Sequence, residues 1–123
     1  IVKNVKNDNK IFGYKNILFS PVSMDTLAKN IVLISKKKIQ GTYNLGSTGG
    51  ISKGEYIKRF LKKTYPKFKN FELINYYLPK NSKFAIRPHD MRLNSKKIAK
   101  KYKIKLPNTN FEVNKIIKNF KND

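Results

Sequence analysis

Apolar and polar positions change their period several times along the chain, and each change predicts an element. Residues 1–16 are rich in lysine and asparagine and show no clear period. Ile17-Leu18-Phe19 is a short apolar run stopped by Ser20-Pro21. A residue before proline avoids the helical region, so this run reads as extended. From Met24 the period becomes helical, with Met24, Leu27, Ala28, Ile31, Val32 and Ser35 on one face. Ser23 is placed as its N-cap, Asp25 sits in the first turn where the helix dipole favours it, and Lys36 to Lys38 suit the C-terminal end. Gly41 opens Thr42-Tyr43-Asn44-Leu45, read as a strand, which Gly46 to Gly50 close. Ser52-x-x-Glu55 is a capping box, and Tyr56, Ile57, Phe60, Leu61 and Thr64 give the following helix its apolar face. Gly54 in that first turn costs about 1 kcal/mol relative to alanine. Tyr65-Pro66 stops the helix, and Phe71 to Tyr77 reads as a second strand. The span 41–77 is therefore strand, helix, strand, a length that suits a right-handed parallel crossover. Residues 78–92 form a polar loop. Ser95 starts a short helix carrying Ile98, Ala99 and Tyr102, which Leu106-Pro107 ends. Thr109-x-x-Glu112 is a second capping box, before a terminal helix faced by Val113, Ile116, Ile117 and Phe120. The expected class is α/β, with about four helices and a small, mainly parallel sheet.

A length of 123 residues supports one domain with a modest core. Apolar residues are 39% of the chain, too many for a disordered basic tail. The absence of cysteine excludes disulfides and thiolate metal sites, and a single histidine, His89, excludes a multi-histidine metal site. No apolar run approaches the length of about 18 residues that marks a membrane span. The opening IVKNVKNDNK lacks the apolar core of a signal peptide, so a cytoplasmic location is expected. The chain starts at Ile1 rather than methionine, which suggests a piece of something longer.

The formal charge of +21 opens the question of nucleic acid. Arginine occurs only at 59, 87 and 92, so 25 of the 28 basic residues are lysine. Lysine is a point charge without the bidentate fork that arginine brings to phosphate and guanine. A joint excess of lysine, asparagine and isoleucine is also what an AT-biased coding sequence produces. A solvated basic surface with weak, salt-sensitive, nonspecific polyanion binding is the plainer reading.

Four features invite chemistry. Gly46-Ser47-Thr48-Gly49-Gly50 stands between an expected strand and a helix, where a phosphate loop would sit, but its G-x-x-G-G spacing matches neither phosphate-binding fingerprint. A permissive turn explains it more simply. His89 and Asp90 are adjacent in a loop, and no nucleophile motif accompanies them. Tyr65-Pro66-Lys67-Phe68-Lys69-Asn70-Phe71 could stack bases, or could cap a core edge under lysine stems. Arg87, in an Arg-Pro loop, suits bidentate recognition of a carboxylate or phosphate, and equally a structural salt bridge.

Four stretches together resemble the C-terminal part of the dTDP-4-dehydrorhamnose reductase group of extended short-chain dehydrogenase/reductases. They are Phe19-Ser20-Pro21-Val22-Ser23-Met24-Asp25-Thr26-Leu27-Ala28, Gly41-Thr42-Tyr43-Asn44-Leu45-Gly46-Ser47, the run from Arg87-Pro88 to Ser95-Lys96-Lys97-Ile98, and Ile104-Lys105-Leu106-Pro107 before a final helix. The resemblance implies that residues 17–121 form a nucleotide-sugar-binding region, with 1–16 a remnant lead-in and 122–123 a tail. It implies a missing N-terminal Rossmann domain that binds NAD(P)H, carries the Tyr-x-x-x-Lys pair and packs against the Ile17–Lys36 region. It implies reduction of a keto nucleotide sugar, within sugar-nucleotide and polysaccharide biosynthesis, and gives the substrate's pyrophosphate to Arg87. The chain itself has no glycine-rich dinucleotide fingerprint and no Tyr-x-x-x-Lys, so no cofactor is expected to bind it alone and no catalytic residue is assigned. It is expected to be inactive by itself. Two other readings are a small basic nucleic-acid-binding module and a non-enzymatic interaction protein derived from the reductase fold.

Overall fold

Two glycines set the closest approach in the first half of the molecule. Gly13 lies in strand β1 (Ile11–Tyr14) and Gly54 in helix α3 (Lys53–Thr64). A Cβ built on Gly54 would stand 2.6 Å from Leu73 Cδ2 and 2.9 Å from the Gly13 carbonyl, so the helix meets the strand backbone to backbone. In the computed structural model, which describes residues 1–77 and 88–122, the chain divides into two compact units, each assembled from two separate stretches.

The first unit comprises Ile1–Phe19 and Ile51–Met91. Strand β1 pairs in parallel with β4 (Phe71–Ile74), Ile11 opposite Phe71 and Tyr14 opposite Ile74. A second small sheet has the order β3-β2-β5. Strand β2 (Leu18–Phe19) runs antiparallel to β3 (Ile51–Ser52) and parallel to β5 (Asp90–Met91). Helix α1 (Val2–Lys6) precedes β1. Ile11, Ile17, Ile51, Phe60 and Leu61 form the buried core here. Ser52 caps α3 as its motif requires, its hydroxyl accepting from the Glu55 N–H at 3.0 Å. Glu55 does not close the reciprocal half; its carboxylate holds Arg59 one turn on at 2.9 Å.

The second unit comprises Ser20–Gly50 and Arg92–Asp123. It contains α2 (Met24–Ser35), α4 (Lys96–Tyr102) and α5 (Thr109–Asn122). Its apolar core is small: Ile98, Val113 and Ile117. All the buried polar residues among those described lie here: Ser20, Ser23, Asn30, Ser47, Ser95, Thr109 and Glu112.

The fold is mixed α/β, with five helices and two small sheets of mostly parallel pairing among the described residues. Several local expectations change. The lead-in 1–16 carries α1 and β1. Residues 42–45 are irregular rather than a strand, so β4 pairs with β1 and not with them. The Tyr43 side chain packs edge-on against Tyr102 at 5.5 Å, and the Gly46 N–H goes to the Ser95 hydroxyl at 2.8 Å, which leaves no ladder to join. Helix α2 buries Asn30, while Met24, Ile31 and Val32 of its expected apolar face are exposed, as is Leu33. The second capping box is not formed. Thr109 is already helical, and Asn108 caps α5 instead, its side chain accepting from the Asn110 N–H at 2.8 Å. No helix among the described residues is long and apolar enough to cross a membrane.

Candidate functional site

The second unit is knotted by hydroxyls. The Ser20 hydroxyl accepts from the Leu93 N–H at 2.9 Å, and the Ser95 hydroxyl accepts from the Gly46 N–H at 2.8 Å. Thr109 donates its hydroxyl proton to the Thr48 carbonyl at 2.8 Å. The Ser47 hydroxyl, 2.8 Å from the Thr109 oxygen, must then be the donor in that pair. Glu112 ends this network on α5. It is 0% exposed, with one carboxylate oxygen 2.6 Å from the Ser23 N–H and the other 2.8 Å from the Thr26 hydroxyl. A buried carboxylate is tolerated where hydrogen bonds replace its lost hydration. Here one acid binds the N-cap and the first turn of α2.

Beside this knot lies a cleft of about 660 Å³ between α2, Thr48, the 105–108 turn and α5. Lys29 and Asn30 line it from α2, Lys105 from the turn, and Phe111 and Lys115 from α5. Lys115 is the best placed of the cations, its ammonium 3.2 Å from the Thr26 hydroxyl and 3.4 Å from Asp25. Asp25 also accepts from the Asn119 amide, and these two donors, Asn119 first, hold its carboxyl below the ordinary range. Lys29 and Lys105 form no ion pair among the described residues. Phe111 leaves 65% of its surface in solvent. The cleft thus offers the exposed ammonium groups of Lys29 and Lys105, a third lysine, Lys115, held in an ion pair with Asp25, and an open aromatic face.

A second basic cluster lies on α4. The Lys101 ammonium donates to the Tyr43 oxygen at 2.9 Å and stands 5.4 Å from the Tyr102 ring centre, while Lys97 lies 5.2 Å over the Tyr43 ring. The hydrogen bond from Lys101 pulls the Tyr43 phenol below its usual value and, reciprocally, raises Lys101. Its two lysines are exposed to solvent and its two tyrosines are half-buried.

The residues singled out from sequence fare unequally. Arg87 lies outside the described residues. His89 is exposed, and its carbonyl accepts from the Leu18 N–H at 2.7 Å, so its backbone is a strand edge. The Gly46–Gly50 segment is a turn: Gly49 has φ of 87°, and the Gly46 and Thr48 N–H groups are taken by Ser95 and the Pro107 carbonyl. Those amides are not free to cradle a phosphate. Tyr65 to Phe68 line a shallow hollow with Val5 and Asp8, and the Tyr65 ring lies 6.1 Å from the buried Phe60 ring, which fits a core edge. Lys29, Asn30, Lys105, Phe111 and Lys115 went unassigned in the sequence, and Glu112 was read only as part of a capping box. The one local signal was an acidic residue beside Val113 within an apolar helical face. Among the described residues no group of three acidic or histidine side chains could hold a metal.

Neither a protein-family model nor a curated protein matches this chain.

Proposed function

We propose that this chain is the substrate-binding part of an NAD(P)H-dependent nucleotide-sugar reductase similar to dTDP-4-dehydrorhamnose reductase. One observation carries the reading. Parts of the four stretches on which the resemblance rests, far apart in sequence, meet in the second unit through hydrogen bonds. The Ser20 hydroxyl accepts from the Leu93 amide, the Ser95 hydroxyl accepts from the Gly46 amide, and the Ser23 amide donates to Glu112 of the final helix. The exposed apolar side of α2, with Met24 at 77% exposure, agrees with it, because the resemblance sets a Rossmann half against that region. In this reading the chain binds and orients the nucleotide sugar, with Arg87 on the diphosphate, and holding the keto carbon in place is its share of the rate. The Gly46 and Thr48 amides of the glycine-rich turn are committed within the chain, and in this reading hydride and proton transfer fall to the other half.

The test is a titration with a thymidine diphosphate sugar and with a single-stranded oligonucleotide, from low to physiological salt. The reductase reading expects sugar-nucleotide binding that survives physiological salt and weakens in Arg87→Ala, with oligonucleotide binding lost. Oligonucleotide binding that persists while the sugar nucleotide fails would replace it with the nucleic-acid module.

A further inference from the structure

The lysine cleft of the second unit is a site that the reductase reading does not use. We propose that it binds a nucleotide as a small ligand, with phosphates on Lys29, Lys105 and Lys115 and the base against Phe111.

Three features converge on that ligand class. The first is size: about 660 Å³ lies within the range of about 300–1,000 Å³ typical of small-molecule sites. The second is charge. Among the described residues the only carboxylate lining the cleft, Glu112, is buried and already engaged by the Ser23 amide and the Thr26 hydroxyl, so it presents no acceptor to the opening. Lys115 is held between Thr26 and Asp25 before any ligand arrives, which removes part of the ordering cost of a phosphate contact. Lys29 and Lys105 add exposed positive charge from two other segments. The third is the aromatic. Phe111 and Lys115 are four residues apart on one face of α5, so the ring and the prepositioned cation open on the same side. No ring or cation partner occupies Phe111 among the described residues, whereas Tyr14, Phe19, Phe60 and Tyr43 all have one. Inorganic phosphate would satisfy the lysines but leave the ring unused. A free base would do the reverse. A nucleotide uses both.

The inference stands on this cleft alone. Titrate the chain with thymidine diphosphate, ADP, pyrophosphate and thymidine at physiological salt, and repeat with two variants at exposed positions, the double substitution Lys29→Ala/Lys105→Ala and the single Phe111→Ala. The expected result is that a nucleoside diphosphate binds more tightly than pyrophosphate or thymidine. The double lysine variant should weaken it about tenfold or more. Phe111→Ala should weaken it by at least about fivefold, the lower end of base–aromatic stacking, and leave pyrophosphate unchanged. Nucleotide binding unaltered in both variants would overturn the site, as would pyrophosphate binding as well as the nucleotide. An oligonucleotide that competes at equal nucleotide concentration would overturn it too, showing a nonspecific polyanion surface. Sugar-nucleotide binding that is lost in Arg87→Ala but kept in both cleft variants would sink this site and leave the reductase reading intact.

Discussion

Removing the Glu112 carboxylate should destabilise the protein more than any other loss of a single charge. Its two oxygens accept from the buried Ser23 N–H at 2.6 Å and the part-buried Thr26 hydroxyl at 2.8 Å, and Glu112 itself has no exposed surface. In Glu112→Ala both donors face a void. Thr26 keeps the Ser23 hydroxyl and Lys115 as neighbours, but both donate to it, so neither replaces the lost acceptor. The orphaned buried Ser23 N–H costs about 1–3 kcal/mol, and the part-buried Thr26 hydroxyl about 1 kcal/mol. The vacated stem adds roughly 1–2 kcal/mol as a cavity. The total, about 3–6 kcal/mol, is a large part of the 5–15 kcal/mol or so that holds a typical domain folded. Glu112→Gln preserves the shape but sets an amide NH2 against one donor, so about half that loss is expected. Urea unfolding followed by circular dichroism reads both. With a slope of about 1–3 kcal/mol per molar, the midpoint should fall by roughly 1 M or more in Glu112→Ala. Glu55→Ala, which breaks the exposed pair with Arg59, is the control and should cost under about 1 kcal/mol. A Glu112→Ala midpoint indistinguishable from that control would refute the role given to Glu112.

Two further outcomes follow from single contacts. Gly54→Ala gains about 1 kcal/mol of helix propensity, yet its Cβ would meet Leu73 at 2.6 Å and the Gly13 backbone at 2.9 Å. Overpacking of that kind costs about 1–3 kcal/mol and a backbone carbonyl cannot yield, so a net loss of melting temperature is expected; a rise would show that α3 and β1 are not in contact. Asp25 has its folded pKa depressed, by Asn119 first and then Lys115, so its contribution is present above the unfolded carboxylate value and is lost as pH falls through the lower folded one. Acid unfolding of the unmodified chain should therefore be steeper than that of Asp25→Asn below about pH 4. Parallel curves would deny the depressed value.

Signals that act within one or two turns were legible. Ser23 and Ser52 cap α2 and α3 where their spacing placed them, and Tyr65-Pro66 ends α3. Ser95 does precede α4, but its hydroxyl leaves the helix unbonded and binds Gly46 instead. Two-residue strands such as Leu18–Phe19 are too short for alternation to show, and β1 pairs with a strand 60 residues away. The run 42–45 has the composition of a strand without a neighbour to pair with. The candidate site was nearly invisible, because lysine is spread along the whole chain and only folding sets Lys29, Lys105 and Lys115 around one space.

Thr109-x-x-Glu112 shows why a correct motif can mislead. A capping box works because its side chains satisfy amides three residues away. In this chain both side chains look elsewhere: Thr109 to Ser47 and Thr48, Glu112 to an N-cap 89 residues earlier. The cap they would have made is supplied by Asn108. That exchange turns a local signal into the bond between two helices. An apolar core of Ile98, Val113 and Ile117 alone would let α2 slide along α5, since apolar contacts have no direction. Two hydrogen bonds accepted by one buried carboxylate fix both the distance and the rotation between them. Lys29 and Asn30 on α2 then keep a set separation from Phe111 and Lys115 on α5. The polar core of this unit and the cleft beside it are therefore one feature: the buried acid holds in register the two walls that carry the lysines and the ring.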